Sequence, residues 1–232
     1  MKVNLPLIPT LQESWNKDKV VNIKPLFTEG EANNIHSYYF NKSNSEWDLA
    51  MYPDFVDHKE YTIPIVKESD EDYNDRLKHI RNKRDKGEFS YFYKRLNGVE
   101  NFHPHIVNLF FSENFWNYIS QVTGYDNLNL NPDSCFVSNY SEGNYNGPHT
   151  DGENGRVAFV YHLSKDWKPE LGGLFCRLDW DYQTVNKIVS PPFNCLTLFD
   201  TVWDGKEGSP HFVSEVTAGC DNKRISFTGW FS

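Results

Sequence analysis

Residues 211–231 read HFVSEVTAGCDNKRISFTGWF. A short apolar run leads into a cluster of turn formers, and a second run follows in which small or polar residues alternate with large apolar ones. In an extended strand successive side chains point to opposite faces, so Arg224, Ser226 and Thr228 share one face while Ile225 and Phe227 share the other. The pattern predicts two strands joined as a hairpin, with a guanidinium and two hydroxyls turned inward. A buried guanidinium is costly without an acidic partner. Glu215 is the candidate for an internal salt bridge; the carboxylate of a bound dicarboxylic acid, gripped by the planar fork of Arg224 with Ser226 assisting, is the other candidate.

Upstream of this segment the same texture continues back to Ser134. Runs of four to eight residues rich in Val, Phe, Tyr, Ile and Thr alternate with clusters of Gly, Pro, Asn and Asp. Strands are predicted near 134–140, 156–163, 173–178, 184–189, 195–199, 211–216 and 224–231, a number and spacing suited to a jelly roll. The first half reads differently. Thr28-Glu29-Gly30-Glu31 is a capping box before a helix to about Asn41, Ser69 starts a charged helix, and Ser112 caps a third that stops at Gly124. In that third helix Phe115, Ile119 and Val122 fall on one face. The segment from Trp47 to Lys67, broken by Pro53 and Pro64, reads as loop and edge strand. The expected class is therefore α+β, one domain over 1–232, with 1–133 as mainly helical support and substrate-side segments and 134–232 as the jelly-roll core.

Bulk properties narrow the partners. With 232 residues the chain can bury a full core, and an aromatic content of 16% implies that rings fill much of it. A net charge of -9 disfavours a sequence-independent hold on nucleic acid, which needs a basic face. The one basic run, RLKHIRNKRDK at 76–86, follows the acidic ESDEDYND, the order that suits a solvated helix and its dipole. Cys135, Cys176, Cys195 and Cys220 lack CxxC pairing and read as free thiols. No apolar run has the length of a signal peptide or a membrane span, so a cytoplasmic protein without membrane partners is expected.

The metal-ligand chemistry is concentrated in PHTDG, residues 148–152. Two imidazoles and one carboxylate on one face of a metal leave adjacent positions open, the arrangement used by non-haem iron oxygenases. Were the segment a strand, His149 and Asp151 would project to the same side, and His211 at the head of HFVSEV is the candidate third ligand. An HxD tripeptide alone is weak evidence in a chain with eight histidines. His58-Lys59-Glu60 and His103-Pro104-His105 show the same kind of spacing without a matching strand to follow, and read as surface or helix-entry residues.

Taken together, Tyr140, HTD, RVAFVYHLSKDW, GGLFCRL, LFD, SPHFVSEV and RISFTGWF occur in an order that resembles the prolyl hydroxylase branch of the 2-oxoglutarate oxygenases over about 100 residues. GEFSYFYKR and the helix ending VTGY resemble the region that precedes the core in that family. The resemblance implies a double-stranded β-helix in which His149, Asp151 and His211 hold Fe(II) and Arg224 binds the distal carboxylate of 2-oxoglutarate. It places Tyr140 beside that cosubstrate, and ascorbate would be a reductant. Many relatives carry tyrosine where this chain has His162, which would take over as a hydrogen-bond donor to the same carboxylate, or else be a core histidine bonded to a neighbour. Halogenating relatives replace the carboxylate ligand by a small residue, and Asp151 is present, so the implied reaction uses dioxygen to hydroxylate a C–H bond with release of succinate and carbon dioxide.

The substrate implied is a prolyl residue of a protein or peptide, or a small amino acid such as free proline, with the aromatic segment from Trp47 to Tyr61 as a candidate substrate wall or as packing under a loop. Three alternatives stay open: an oxygenase for another amino acid or metabolite, a jelly-roll module that senses a metal or ligand without turnover, and a cupin-type metalloenzyme. The last leaves Arg224 unexplained.

Overall fold

The structure is a computed structural model that describes residues 5–53, 60–64, 69–152, 154–203, 206–207, 210–217, 219 and 222–232. The first half runs through α1 (Ile8–Asp18), β1 (Val20–Ile23), α2 (Glu29–Phe40), β2 (Asp48–Tyr52), β3 (Tyr61–Pro64), α3 (Asp70–Asp85), β4 (Tyr91–Asn97), α4 (Pro104–Phe110) and α5 (Glu113–Thr123). The second half is almost wholly strand: β5 (Phe136–Tyr140), β6 (Tyr145–His149), β7 (Val157–His162), β8 (Phe175–Leu178), β9 (Val185–Val189), β10 (Cys195–Asp200), the two-residue β11 (Val202–Trp203) and β12 (Lys206–Glu207), β13 (His211–Val213) and β14 (Arg224–Phe231).

The helix ends follow their local chemistry. Thr28 and Glu31 form the predicted capping box of α2, satisfying two backbone donors that the first turn leaves free. Ser69 caps α3, which carries Asp70, Glu71 and Asp72 in its first turn, Lys83 and Arg84 in its last, and buries only Ile80: it is the solvated helix its charge order predicts. Ser112 caps α5, and Gly124 ends it at φ 75°, a left-handed conformation that glycine adopts without strain. His103 is a helix-entry residue, its ring nitrogen accepting from the His105 amide at the start of α4, while His58 lies outside the described residues.

The sheet curls into two facing layers. One layer runs β1-β10-β7-β14-β5, the other β6-β13-β8-β9, with every neighbouring pair antiparallel, and β4 joins them by pairing with β5 through Lys94 to Asn97 and with β6 through Tyr91 and Phe92. This is the double-stranded β-helix. Its first layer is buried on both sides. Val137, Phe159, Tyr161, Leu196, Ile225 and Phe227 turn outward onto α1, α2, α4 and α5, in one cluster with Trp15, Ile35, Phe110 and Ile119. Phe110 meets Phe159 and Phe227 with ring centroids 5.0 Å from each, an edge-and-face packing that adds to simple burial. Burying one such ring is worth about 2 kcal/mol, so the helices are a structural half of the core. The opposite faces of the same strands look into a cavity between the layers.

Three local expectations are corrected. The predicted hairpin does not exist: β13 pairs with β6 and β8, and β14 with β5 and β7, so the two runs of the 211–231 segment lie in opposite layers. The strand expected at 211–216 ends at Val213, and Val216 forms an isolated bridge with Gly172. Trp47 is 1% exposed in the helical core, so it does not wall a substrate site. Cys135, Cys176 and Cys195 are free and buried, and Cys220 lies outside the described residues. Among the described residues no helix is long and apolar enough to cross a membrane.

Candidate active site

At one end of the cavity β6 and β13 lie side by side, with His149 and His211 in register. Cross-strand partners point to the same side of a sheet, and here both imidazoles enter the cavity with centroids 4.3 Å apart. Asp151 arrives differently from the expectation. β6 ends at His149, and Asp151 sits in the turn that follows, where its carbonyl accepts from the Asn154 amide. The turn carries the carboxylate back so that Oδ1 is 3.4 Å from His149 Nε2 and Oδ2 is 3.4 Å from His211 Nε2. One ligand atom from each of the three residues falls within 4.8 Å of the other two.

Electrostatics agree with a cation site. Burial favours the neutral acid of Asp151, but His211 and His149 outweigh it and hold the carboxyl far below the usual carboxylate range. Burial works against protonation of His149, yet Asp151 and the Gly147 carbonyl raise it above the ordinary histidine value. His149 Nδ1 lies 2.8 Å from the Gly147 carbonyl and donates to it, which leaves Nε2 with the lone pair a metal needs. Phe175 and Phe199 pack against the His211 ring and Phe89 against His149, making the surroundings apolar.

Deeper in the cavity, which has a volume of about 480 Å³, Arg224, Ser226, Thr228 and Trp230 line one wall, as the alternation of β14 predicts. Arg224 is 2% exposed. Its Nε donates to the Gly173 carbonyl at 2.6 Å and its guanidinium lies 4.9 Å from the centre of the Tyr140 ring. Among the described residues it has no carboxylate partner: Glu215, the internal candidate, pairs instead with Arg84 at 2.6 Å. Burial lowers the pKa of Arg224 and Tyr140 offsets part of that shift. A desolvated cation without a counter-charge, facing a cavity that also holds the triad, suits an anionic ligand with a second anchoring group.

Tyr140 stacks on Tyr93 at 4.8 Å, and Ser226 shares a hydrogen bond of 2.7 Å with Ser138 on β5. His162, in register with Ser226, is buried and bonded through Nε2 to Thr197. The predicted residues of the second half are thus brought together. Others in the cavity wall come from the first half: Glu60, which the sequence places in a surface His-x-carboxylate and within the aromatic 47–61 segment, and Tyr91, Tyr93 and Arg95, which lie in GEFSYFYKR and were not named individually. Arg95 donates to Glu60 and Thr62, and Glu60 also accepts from the Tyr91 hydroxyl. Their signal was the alternation of Tyr91, Tyr93 and Arg95 within GEFSYFYKR. A further signal lay in GGLF: a Cβ on Gly173 would sit 2.7 Å from Arg224 Cδ, and a Cβ on Gly172 only 2.0 Å from the Glu215 carbonyl oxygen.

Comparison with known proteins agrees with this geometry. Residues 135–232 match the family described as the 2OG-Fe(II) oxygenase superfamily. Among solved structures, an oxidoreductase of the 2OG-Fe(II) oxygenase family from Burkholderia pseudomallei is similar over 100% of this chain and 93% of its own, with 13% identity and a TM-score of 0.62. A prolyl-4-hydroxylase from Pseudomonas putida is similar over 97% of this chain and 98% of its own, with 15% identity and a TM-score of 0.54. A non-heme alpha ketoglutarate dependent epimerase of nogalamycin biosynthesis is similar over 95% and 80%, with 11% identity and a TM-score of 0.53. At these identities the likeness is one of fold, and the epimerase shows that the fold serves more than one reaction. No curated protein matches the sequence. Residues 135–232, which carry the histidine-aspartate-histidine cluster and most strands of the curled sheet, match the model of the 2OG-Fe(II) oxygenase superfamily, and the fold of the whole chain is similar to that of the solved oxygenases.

Proposed function

We propose that the protein is an Fe(II)- and 2-oxoglutarate-dependent dioxygenase that hydroxylates a prolyl residue of a protein or peptide, releasing succinate and carbon dioxide. The observation that carries this is Arg224, a buried cation without a carboxylate partner among the described residues, in the same cavity as the three-ligand cluster. A metal site alone would not need it. In this reading His149, Asp151 and His211 hold the iron and Arg224 holds the distal carboxylate of 2-oxoglutarate, with Tyr140 packed on the guanidinium and Ser226 beside it. When bound, iron and 2-oxoglutarate together with dioxygen supply the oxidising power for C–H hydroxylation.

The residues of this chain do the rest. Asp151 stays ionised and Gly147 fixes the His149 ring through Nδ1, so Nε2 is the nitrogen turned to the metal once its proton is displaced. Phe175, Phe199 and Phe89 keep water from crowding the metal ligands. Phe136, Tyr91, Tyr93 and Trp230 also line the cavity and present ring surfaces on which the apolar ring of proline can pack, with the Arg95–Glu60 pair beside them. The helices of 1–133 pack on the jelly roll of 134–232 in one shared apolar cluster, which supports a single oxygenase domain.

The test is release of succinate from 2-oxoglutarate by the Fe(II)-loaded protein and by Asp151→Ala, combined with mass spectrometry for the gain of one oxygen atom across prolyl peptides and free amino acids. Release with oxygen incorporated into a prolyl peptide, absent in Asp151→Ala, is the expected result. Incorporation only into another amino acid or metabolite moves the substrate elsewhere, and metal-dependent 2-oxoglutarate binding without turnover on the whole panel returns the protein to a binding module.

A further inference from the structure

Asp151 is carried by the stretch of chain that crosses from β6 in one layer to β7 in the other. One end of that crossing is fixed at His149, whose place in the β6–β13 ladder is set by the sheet. The other end is fixed by Thr201, which is 1% exposed and follows directly on β10. Its hydroxyl donates to the Gly155 carbonyl at 2.6 Å and shares its hydrogen with the Arg156 carbonyl at 3.0 Å, while its amide also donates to Arg156 at 3.3 Å.

Further contacts make this end a clamp. The Arg156 amide donates to the Phe231 carbonyl at 2.7 Å, and Gly155 lies so near the end of β14 that a Cβ there would stand 2.8 Å from the Phe231 carbonyl oxygen and 2.8 Å from Trp230 Cβ. The Arg156 guanidinium lies 4.2 Å from the centre of the Tyr125 ring and donates to its hydroxyl at 2.7 Å, and that hydroxyl donates to Asp200, the residue before Thr201. From the clamp the path to the ligand is short. Asn154, next to Gly155, donates its amide to the Asp151 carbonyl at 2.9 Å, closing the turn from which the carboxylate meets His149 and His211. The imidazoles attract the carboxylate, but the backbone that carries it is held from the far side. A loop fixed at both ends has little freedom to lose when an ion binds, and freeing one end returns that freedom.

We propose that Thr201 is a positioning residue of the metal site: by pinning the Gly155–Arg156 end of the crossing, it fixes the turn that presents the Asp151 carboxylate to the ion. Its hydrogen bonds go to backbone carbonyls and to none of the three ligands, so its effect passes through the turn. The proposal rests on the reading that places a metal at the triad, and it is read out in metal affinity and stability rather than in turnover.

Two measurements on the same preparations test it: Mn(II) affinity, read from the free ion by electron paramagnetic resonance, and the melting temperature of the metal-stripped protein. Thr201→Val, which keeps the shape and removes the hydroxyl, should bind Mn(II) about tenfold more weakly, and Thr201→Ser should restore the wild-type affinity. Thr123→Val is the control for a merely structural hydroxyl. Thr123 is 5% exposed and donates to the Ile119 carbonyl within α5 at 2.9 Å, so its loss should lower the melting temperature and leave Mn(II) affinity unchanged. Gly155→Ala disturbs the same clamp with the Thr201 hydroxyl intact; it should weaken Mn(II) to a similar degree, and it stands in for Thr201→Val should that variant not fold. Wild-type Mn(II) affinity in folded Thr201→Val or in folded Gly155→Ala overturns the proposal. So does a Thr201→Ser protein as weak as Thr201→Val, or an equal loss of affinity in Thr123→Val. If the wild type binds no Mn(II), or binds it as tightly after Asp151→Ala, the metal reading itself fails and this role with it; if binding depends on Asp151 and Thr201→Val leaves it unchanged, only the role of Thr201 fails.

Discussion

His149 and His211 are register partners across the β6–β13 ladder, so two ligands from residues far apart in sequence are held at a spacing fixed by the sheet. The third ligand, Asp151, comes from a turn and owes its place to the imidazoles it faces at 3.4 Å. The sheet therefore preorganises two ligands, and the carboxylate supplies the charge.

It follows that Asp151→Ala should keep the fold and lose the ion. Both imidazoles remain positioned by the ladder, but the anionic ligand is gone, and the affinity for Mn(II) should fall by at least about 100-fold. Titration of the free ion by electron paramagnetic resonance checks the affinity, and circular dichroism checks the fold. Retained tight binding would mean that the ion sits elsewhere.

The same cluster predicts opposite pH trends for stability and for metal binding. In protein stripped of metal, His149 has a folded pKa raised above its unfolded value, so its contribution is fully present below about pH 6.5 and is lost as pH rises through the folded value. Asp151 is depressed, so its contribution is present above about pH 3.9 and is lost only as pH falls through its folded value. The stripped protein should accordingly melt at a higher temperature at pH 5.5 than at pH 8 by the share this pair contributes (pH values chosen to bracket the ordinary histidine pKa of about 6.5). Metal needs the neutral imidazole, so affinity should rise over that interval. Thermal melts in a chelator, with Asp151→Asn as the control that removes the pair, decide it: the excess at the lower pH should vanish in the variant.

Gly173→Ala tests the support of Arg224. The residue has φ 62°, and an added Cβ would lie 2.7 Å from Arg224 Cδ and 3.3 Å from the Trp167 ring. Left-handed backbone strain alone costs about 1 kcal/mol or more, and the guanidinium stem must also move. The expected outcome is a lower melting temperature with 2-oxoglutarate binding weakened about tenfold, while Mn(II) affinity measured without 2-oxoglutarate is unchanged. Equal loss of both would show that the substitution disturbs the whole cavity.

The sequence carried the inward face of β14 plainly, because Arg224, Ser226 and Thr228 alternate with core residues and the cavity and the helical core take up the two faces. It carried the triad only as a set of types. His149 and Asp151 are two apart, but the shared face came from a turn and not from strand geometry, and the hairpin drawn between 211–216 and 224–231 was a local inference that long-range pairing overrode. The first half was legible where caps and charge order are local, as in α2, α3 and α5. It was opaque at α1, where Pro9 reads as a breaker although the first helical turn accepts it, and at β4, where the buried Phe92 between Tyr91 and Tyr93 hides their alternation. Glu60 met Arg95 only through the β2–β3–β4 pairing, which no local pattern announces.

That pair gives the remaining prediction. The Arg95 side chain is 15% exposed, its guanidinium lies 5.6 Å from the centre of the Phe136 ring, and it lines the cavity while bonded to Glu60 and Thr62. Arg95→Met keeps the apolar stem over Phe136 but removes the charge, leaving the Glu60 carboxylate to the Tyr91 and Thr62 hydroxyls. Paired with Glu60 and not with the ligand cluster, Arg95 is expected to act on the substrate rather than on the cosubstrate, so KM for a prolyl peptide should rise about tenfold with little change in kcat, and 2-oxoglutarate affinity should stay as in wild type. Steady-state kinetics with calorimetry on the same preparation separate the two, and a change confined to 2-oxoglutarate would place Arg95 in the cosubstrate site instead.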